Sequence, residues 1–228
     1  MPLNHRIFLR AIERAKGKVP IEVTRQPNDL FVSKPNLCLA IDPHLRSMAC
    51  AWIDYASEKI VAVETWKYVD KKAHWPVVAQ GWWAIPSFAK PNSFMSAVTD
   101  IVIEFPDHIK PHGPSWSSLD LSSGIWSKKA GASNKQVSDL CKVALSIGYL
   151  SAGLKQSTGI QPVLVEPREW KGSKSKTQTE GEILPVTKAF LKGKKKALTE
   201  HELDSVAIGT WYVKKYKFDL TLKEAKDG

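Results

Sequence analysis

The run Leu37-Cys38-Leu39-Ala40-Ile41 leads straight into Asp42 and is halted by Pro43. An unbroken apolar run of this length, stopped by proline, predicts a short strand buried on both faces. Such a strand ending in a carboxylate poses a problem, because burying that charge is costly without a cation or hydrogen bonds. Asp42 is therefore either a turn residue, since Asp-Pro commonly opens turns, or a metal ligand. Two features further along favour the ligand. Ile101-Val102-Ile103-Glu104-Phe105-Pro106 repeats the same pattern, and a third acid, Asp204, lies on a late amphipathic helix.

Between these points the pattern predicts alternating strands and helices. Met48 to Tyr55 and Ile60 to Tyr68 read as strands joined to the first by short turns, making an antiparallel meander. Asp54 and Glu64 within it are expected to face solvent or sit at an edge. Residues 69–100 hold Trp75, Trp82, Trp83 and Phe88 between Pro76, Pro86 and Pro91. The Trp pair suits a satellite core better than a stacking platform, and Asn92 or Ser93 could cap a short helix through Thr99. Residues 106–132 read as a long loop with interleaved bases and aromatics, a pattern that suits nucleic-acid contact. His108 and His112 alone are weak grounds for a metal site. Asn134 to about Gln156 is an amphipathic helix. Its small residues Ala144, Gly148 and Ala152 would let another helix approach, either from its own domain or across a dimer interface. Val163 to Val165 is a short strand. The segment 167–196 that follows is the most basic in the chain, with nine Lys or Arg against three acids. Lys171, Lys174 and Lys176, just past the strand end, are placed to meet a phosphate. A helix runs on to about Leu191, with Lys194 to Lys196 as a solvated turn. In the last helix Thr199 and Glu202 form a capping box. Asp204 sits at the border of the buried stripe, with His201 one turn earlier on the same face.

Composition narrows the partners. The chain has 228 residues, a formal net charge of +10 and a pI near 9.4, which favours a polyanion, nucleic acid foremost. Three cysteines without close spacing give neither a disulfide framework nor a zinc site. No signal peptide or membrane-length apolar run is expected, so the reading is a soluble, cytoplasmic protein with no membrane partner. The expected organisation is a basic extension over 1–36, one α/β domain over 37–217 and a polar tail over 218–228 that frays. The extension carries an amphipathic helix from His5 to Lys18, either packed on the domain or touching a DNA backbone. Pro20 to Lys34 is expected to be irregular.

With the fourth strand parallel to the first, Asp42 and Glu104 become neighbours and the last helix can bring Asp204 across them. Three converging carboxylates repel one another unless divalent cations lie between them. Mg2+ or Mn2+ suits such oxygen donors. Two ions about 4 Å apart are suited to phosphodiester cleavage. His201 could complete the site as a ligand or a proton carrier.

Four ordered segments carry a resemblance: Leu-Ala-Ile-Asp-Pro-His-Leu-Arg (39–46), Ile-Val-Ile-Glu (101–104), Val-Glu-Pro-Arg-Glu-Trp-Lys-Gly (165–172) and His-Glu-Leu-Asp-Ser-Val-Ala-Ile-Gly (201–209). Together they resemble the RuvC-type Holliday-junction resolvases of the RNase H-like superfamily, their bacteriophage members most of all. The resemblance implies an RNase H-like fold, a five-stranded mixed sheet of three antiparallel and two parallel strands flanked by helices. It implies a homodimeric endodeoxyribonuclease that nicks branched DNA such as four-way junctions with Mg2+ or Mn2+, two ions per site, in the host cytoplasm if phage-encoded. Asp42, Glu104 and Asp204 then correspond to the metal-binding carboxylates, and His201 to the fourth catalytic position. Lys171, Lys174 and Lys176 correspond to lysines near the scissile phosphate. Phe105, or an aromatic of the following loop, corresponds to the residue that stacks at the junction. The family's usual Asp-Pro-Gly is Asp42-Pro43-His44 here, the loop after Glu104 is longer, and the basic N-terminal segment has no counterpart. Two other readings stand beside this one. One is a less selective nuclease of the same fold acting on flaps or RNA/DNA hybrids, and the other a branched-DNA-binding protein without catalysis.

Overall fold

A computed structural model describes residues 21–27, 36–68, 70, 72–73, 75–88, 95–106, 134–194 and 197–227. The long apolar runs form one mixed sheet. Its strands are β1 (Ile21–Pro27), β2 (Leu37–Pro43), β3 (Ser47–Asp54), β4 (Ile60–Tyr68), β5 (Val98–Glu104) and β6 (Val163–Val165). The spatial order is β1-β4-β3-β2-β5-β6. The first four strands pair antiparallel, whereas β2–β5 and β5–β6 are parallel. The helices are α1 (Trp75–Phe88), α2 (Asn134–Thr158), α3 (Pro167–Trp170), α4 (Lys176–Leu191) and α5 (Glu200–Asp227).

The five expected strands are all present, and β1 adds a sixth at the edge beyond β4. Residues 21–27, expected to be irregular, therefore belong to the sheet, paired with β4 from Ile21↔Tyr68 to Pro27↔Ala62. Ile21 and Val23 are the only apolar residues of β1, too short an alternation between Pro20 and Pro27 to mark a strand. At the other end, α5 continues to Asp227 through the stretch expected to fray. The helix His5–Lys18 and the loop beyond Pro106, with His108 and His112, lie outside the described residues, as do Asn92 and Ser93.

Strand alternation divides the core in two. Leu37, Leu39 and Ile41 of β2 join Met48, Trp52, Trp66, Ile101 and Ile103 on one face, covered by Val78 and Trp82 of α1 and by Ile147, Leu150 and Leu154 of α2. Cys38 and Ala40 point the other way, with Ala51, Ile53, Val63 and Val102, against Trp170 of α3, Ile183 of α4 and Val206, Ala207 and Ile208 of α5. From Leu37 to Ile41 no residue of β2 is exposed at all.

Both covered faces explain a departure from expectation. Asp54 and Glu64 are buried, at 5% and 0% exposure, because this sheet has no solvent face. The Trp66 indole N–H donates to Glu64 Oε2 at 2.9 Å, and Asp54 Oδ2 accepts from the Ser57 backbone and hydroxyl. The Trp-rich segment is likewise a helix packed into the main core, with Trp82 fully buried. Pro76, in its first turn, removes an N–H that has no helical partner there. Its seam with α2 is set by Gly153, where an added Cβ would lie 2.2 Å from the Trp83 carbonyl oxygen. The expected small-residue stripe is not that seam. Gly148 has no heavy atom within 4 Å of an added Cβ, and Gly148 and Ala152 are exposed beside Leu145.

Candidate active site

Register brings the acids together. β2 and β5 pair in parallel up to Ile41↔Ile103, so Asp42 and Glu104 follow side by side at the same sheet end. Alternation then decides their face. Asp42 continues the row of Cys38 and Ala40, and Glu104 continues that of Val102, so both point toward the side that α5 covers. α5 approaches closely because Gly209 has no side chain: a Cβ there would lie 2.7 Å from Ile53 Cγ1 and 3.0 Å from Ala40 Cβ. The capping box fixes where the helix starts. Glu202 Oε2 accepts from the Thr199 backbone N–H at 2.7 Å, and its Oε1 accepts from the Thr65 hydroxyl of β4 at 2.8 Å. Glu202 is thus a buried anchor, and the next turn presents Asp204.

Each acid has a holder. The His201 ring donates from Nδ1 to Asp42 Oδ2 at 2.8 Å. The Trp170 indole N–H donates to Glu104 Oε2 at 2.8 Å. His44 packs its ring against His201 with centroids 4.6 Å apart. The charges act on one another. Burial pushes the Glu104 carboxyl from 4.5 up to about 7, with the charges of Asp42 and then Asp204 adding to it against the Trp170 hydrogen bond and Lys171. Asp204 is raised by burial and then by Asp42, while Lys171 opposes. His201 is raised, chiefly by its hydrogen bond to Asp42, so it favours the imidazolium. His44 is lowered by burial and by His201, and favours the neutral ring.

Asp42, Glu104, His201 and Asp204 therefore occupy one electrostatic neighbourhood at the sheet's end. Among the described residues, no group of three His, Cys, Asp or Glu side chains forms a ready-made metal cage. Two of the carboxylates are turned instead to their own hydrogen-bond donors. The donor set itself fits a hard divalent cation: three carboxylates, two of them pushed toward protonation in part by their neighbours' charge, a cost that a cation removes.

The three lysines differ. Lys171 lies within electrostatic reach of Glu104 and Asp204, its ammonium 5.8 Å from the Trp170 ring centroid. Lys174 is paired with Glu182 at 2.7 Å, and Lys176 with Glu200 at 2.5 Å. Phe105 is half-buried against the α1/α2-side core, on the opposite face from Glu104. Trp170 and His44 were not singled out by sequence reasoning. Their roles depend on a ring meeting an acid or ring far away in the chain, which no local spacing shows.

No protein-family model and no curated protein matches the chain. Solved structures do. A Thermus thermophilus RuvC structure superposes with a TM-score of 0.53 at 10% identity, covering 80% of this chain and 96% of that one. T. thermophilus RuvC in complex with a Holliday junction substrate superposes with a TM-score of 0.51, also at 10% identity, covering 80% and 95%. The chain thus has the RuvC-type, RNase H-like fold.

Proposed function

We propose that this chain is a metal-dependent, structure-selective endodeoxyribonuclease that hydrolyses phosphodiester bonds in branched DNA, four-way junctions foremost. The observation that carries the reading is the gathering of Asp42, Glu104 and Asp204 on one face of one sheet end, with Glu104 pushed up to about 7. Glu104 is raised by the charges of Asp42 and Asp204, and Asp204 by that of Asp42; such repulsion opposes stability, which points to chemistry. The fold adds support, since one solved protein of the same fold is bound to a Holliday junction.

Asp42, Glu104 and Asp204 would hold Mg2+ or Mn2+, two ions per site. Bound there, the ions supply Lewis acidity at the scissile phosphate and a water of lowered pKa. The chain's own residues do the rest. Lys171 draws the phosphate toward the acids. The Trp170 indole fixes the direction of Glu104. With Nδ1 held by Asp42, His201 exchanges protons through Nε2. The net charge of +10 provides the long-range attraction for DNA. The exposed strip Leu145, Gly148 and Ala152 on α2 is the face for a second copy, which a symmetric two-strand cut needs. The nuclease domain takes in β1 and all of α5, from Ile21 to Asp227, rather than 37–217.

A cleavage assay with Mg2+ on four-way junctions, flaps, duplex and RNA/DNA hybrids tests this reading. Preferential junction cutting supports it. Equal cutting of flaps or hybrids points to the less selective nuclease. Junction binding without cutting in Mg2+ or Mn2+ would overturn catalysis and leave a branched-DNA-binding protein.

A further inference from the structure

Beyond the acids, α3, α4 and α5 enclose a pocket of about 340 Å3. Trp170 and Trp211 line it, together with Lys174, Lys214, Lys215 and Thr210. Its volume is at the lower end of the roughly 300–1,000 Å3 range typical of small-ligand sites, room for one nucleotide rather than a duplex. Glu182 is paired with Lys174, and Lys214 and Lys215 leave the lining cationic. Lys215 holds its ammonium over the Trp211 ring, 5.1 Å from its centroid, so cation and ring act together. Trp211 is half-buried, which leaves part of its surface open. Thr210 has a buried hydroxyl without a hydrogen-bond partner among the described residues.

The position is as informative as the composition. Trp170 belongs both to this pocket and to the acid site, through its hydrogen bond to Glu104. Trp211 stands two helical turns beyond Asp204 on α5, about 10 Å along the axis. That distance spans roughly three stacked steps of about 3.4 Å along one DNA strand, fewer if the strand is extended.

We propose that the pocket between α3, α4 and α5 takes one unpaired base of a single DNA strand against Trp211, with Lys214 and Lys215 holding the phosphates beside it. This rests on the nuclease reading in that the strand concerned is the one whose backbone crosses the acids. Stacking on an aromatic ring tolerates any base and contributes about 1–3 kcal/mol per base, and the lysines add a salt-dependent part. The pocket thus holds a strand opened at a branch, two or three nucleotides from the phosphate to be cut.

The test uses the full chain and a single-stranded hexanucleotide carrying one 2-aminopurine, in Ca2+ so that nothing is cleaved. The wild type is expected to change the probe's fluorescence on binding. Trp211→Ala should bind about 5- to 100-fold more weakly, and Trp211→Phe should restore most of the loss. The double variant Lys214→Glu/Lys215→Glu, on exposed positions that leave the core intact, should also weaken binding. It should lower the slope of log affinity against log salt by about one. Affinity within twofold of wild type in both Trp211→Ala and the lysine variant overturns the proposal. The junction assay runs alongside. If the wild type cuts junctions while neither variant changes oligonucleotide affinity, the pocket falls and the nuclease stands. If it cuts nothing but both variants lose affinity, the pocket stands as a strand-binding site and the nuclease reading falls.

Discussion

The two faces of the sheet are made by alternate residues of the same strands, yet they are built for different ends. The face under α1 and α2 is dominated by bulk: Trp52, Trp66 and Trp82 are all sealed from solvent. Its buried acids are answered locally, Glu64 by the Trp66 indole and Asp54 by Ser57. The face under α3 to α5 is lined by smaller residues, among them Ala40, Ala51 and Gly209, and its rows run out into Asp42 and Glu104. The bulkiest sealed side chains lie on the first face, and the charges that oppose one another lie at the rim of the second. One strand serves both, because a period of two keeps the rows independent.

Four experiments bear on that division. The largest effect is expected from Trp82→Ala, which empties a fully buried site under α1 and should cost about 3–5 kcal/mol of unfolding free energy in urea. Cleavage per folded molecule should be little changed. A stable variant lacking cleavage would show that the faces are not independent. Next is Asp42→Asn, expected to lower the cleavage rate on the order of 10²- to 10³-fold while junction binding persists. Its melting temperature should stay level or rise, since a repulsive charge is removed. A large loss of stability would mark Asp42 as a structural acid.

Gly209→Ala should cost about 1–3 kcal/mol by overpacking α5 against Ile53 and Ala40. It should also slow cleavage, because the same helix carries Asp204. The smallest effect concerns pH in the metal-free protein. Glu104 is raised from 4.5 to about 7, so between these values the folded chain binds more protons than the unfolded one. Its contribution therefore makes stability fall as pH rises through that window, on the order of 1 kcal/mol after allowance for partial exposure. Urea melts from pH 4.5 to 7.5 would show the slope, Glu104→Gln should flatten it, and Mg2+ should offset it.

Much of this arrangement is legible in the sequence where a local pattern and its physical cause coincide. The apolar runs ending in Asp42 and Glu104 mark parallel neighbours, and the Thr199/Glu202 box sets the phase of the helix that carries Asp204. The expected limits of the Ile60–Tyr68 strand match the fold. Legibility stops where a local sign is overruled from a distance. Pro76 and Pro86 hide α1, although Val78 and Trp82 already have helical spacing. Glu64 looks like a solvent-facing residue until α1 and α2 cover its face. Lys174 and Lys176 carry no local mark of Glu182 and Glu200, the acids they are paired with in the fold. Trp170 carries no mark of its bond to Glu104, 66 residues away.

The switch of strand direction at β2 also orders events in time. On one side of it, β2, β3 and β4 are joined by tight turns and can pair as soon as they are made. On the other, β5 returns only after α1, and Asp204 follows Asp42 by more than 160 residues. Contacts so far apart in the chain close late in folding. A chain still emerging from the ribosome can therefore hold its hairpins while lacking the assembled acid cluster, which waits for almost the last helix.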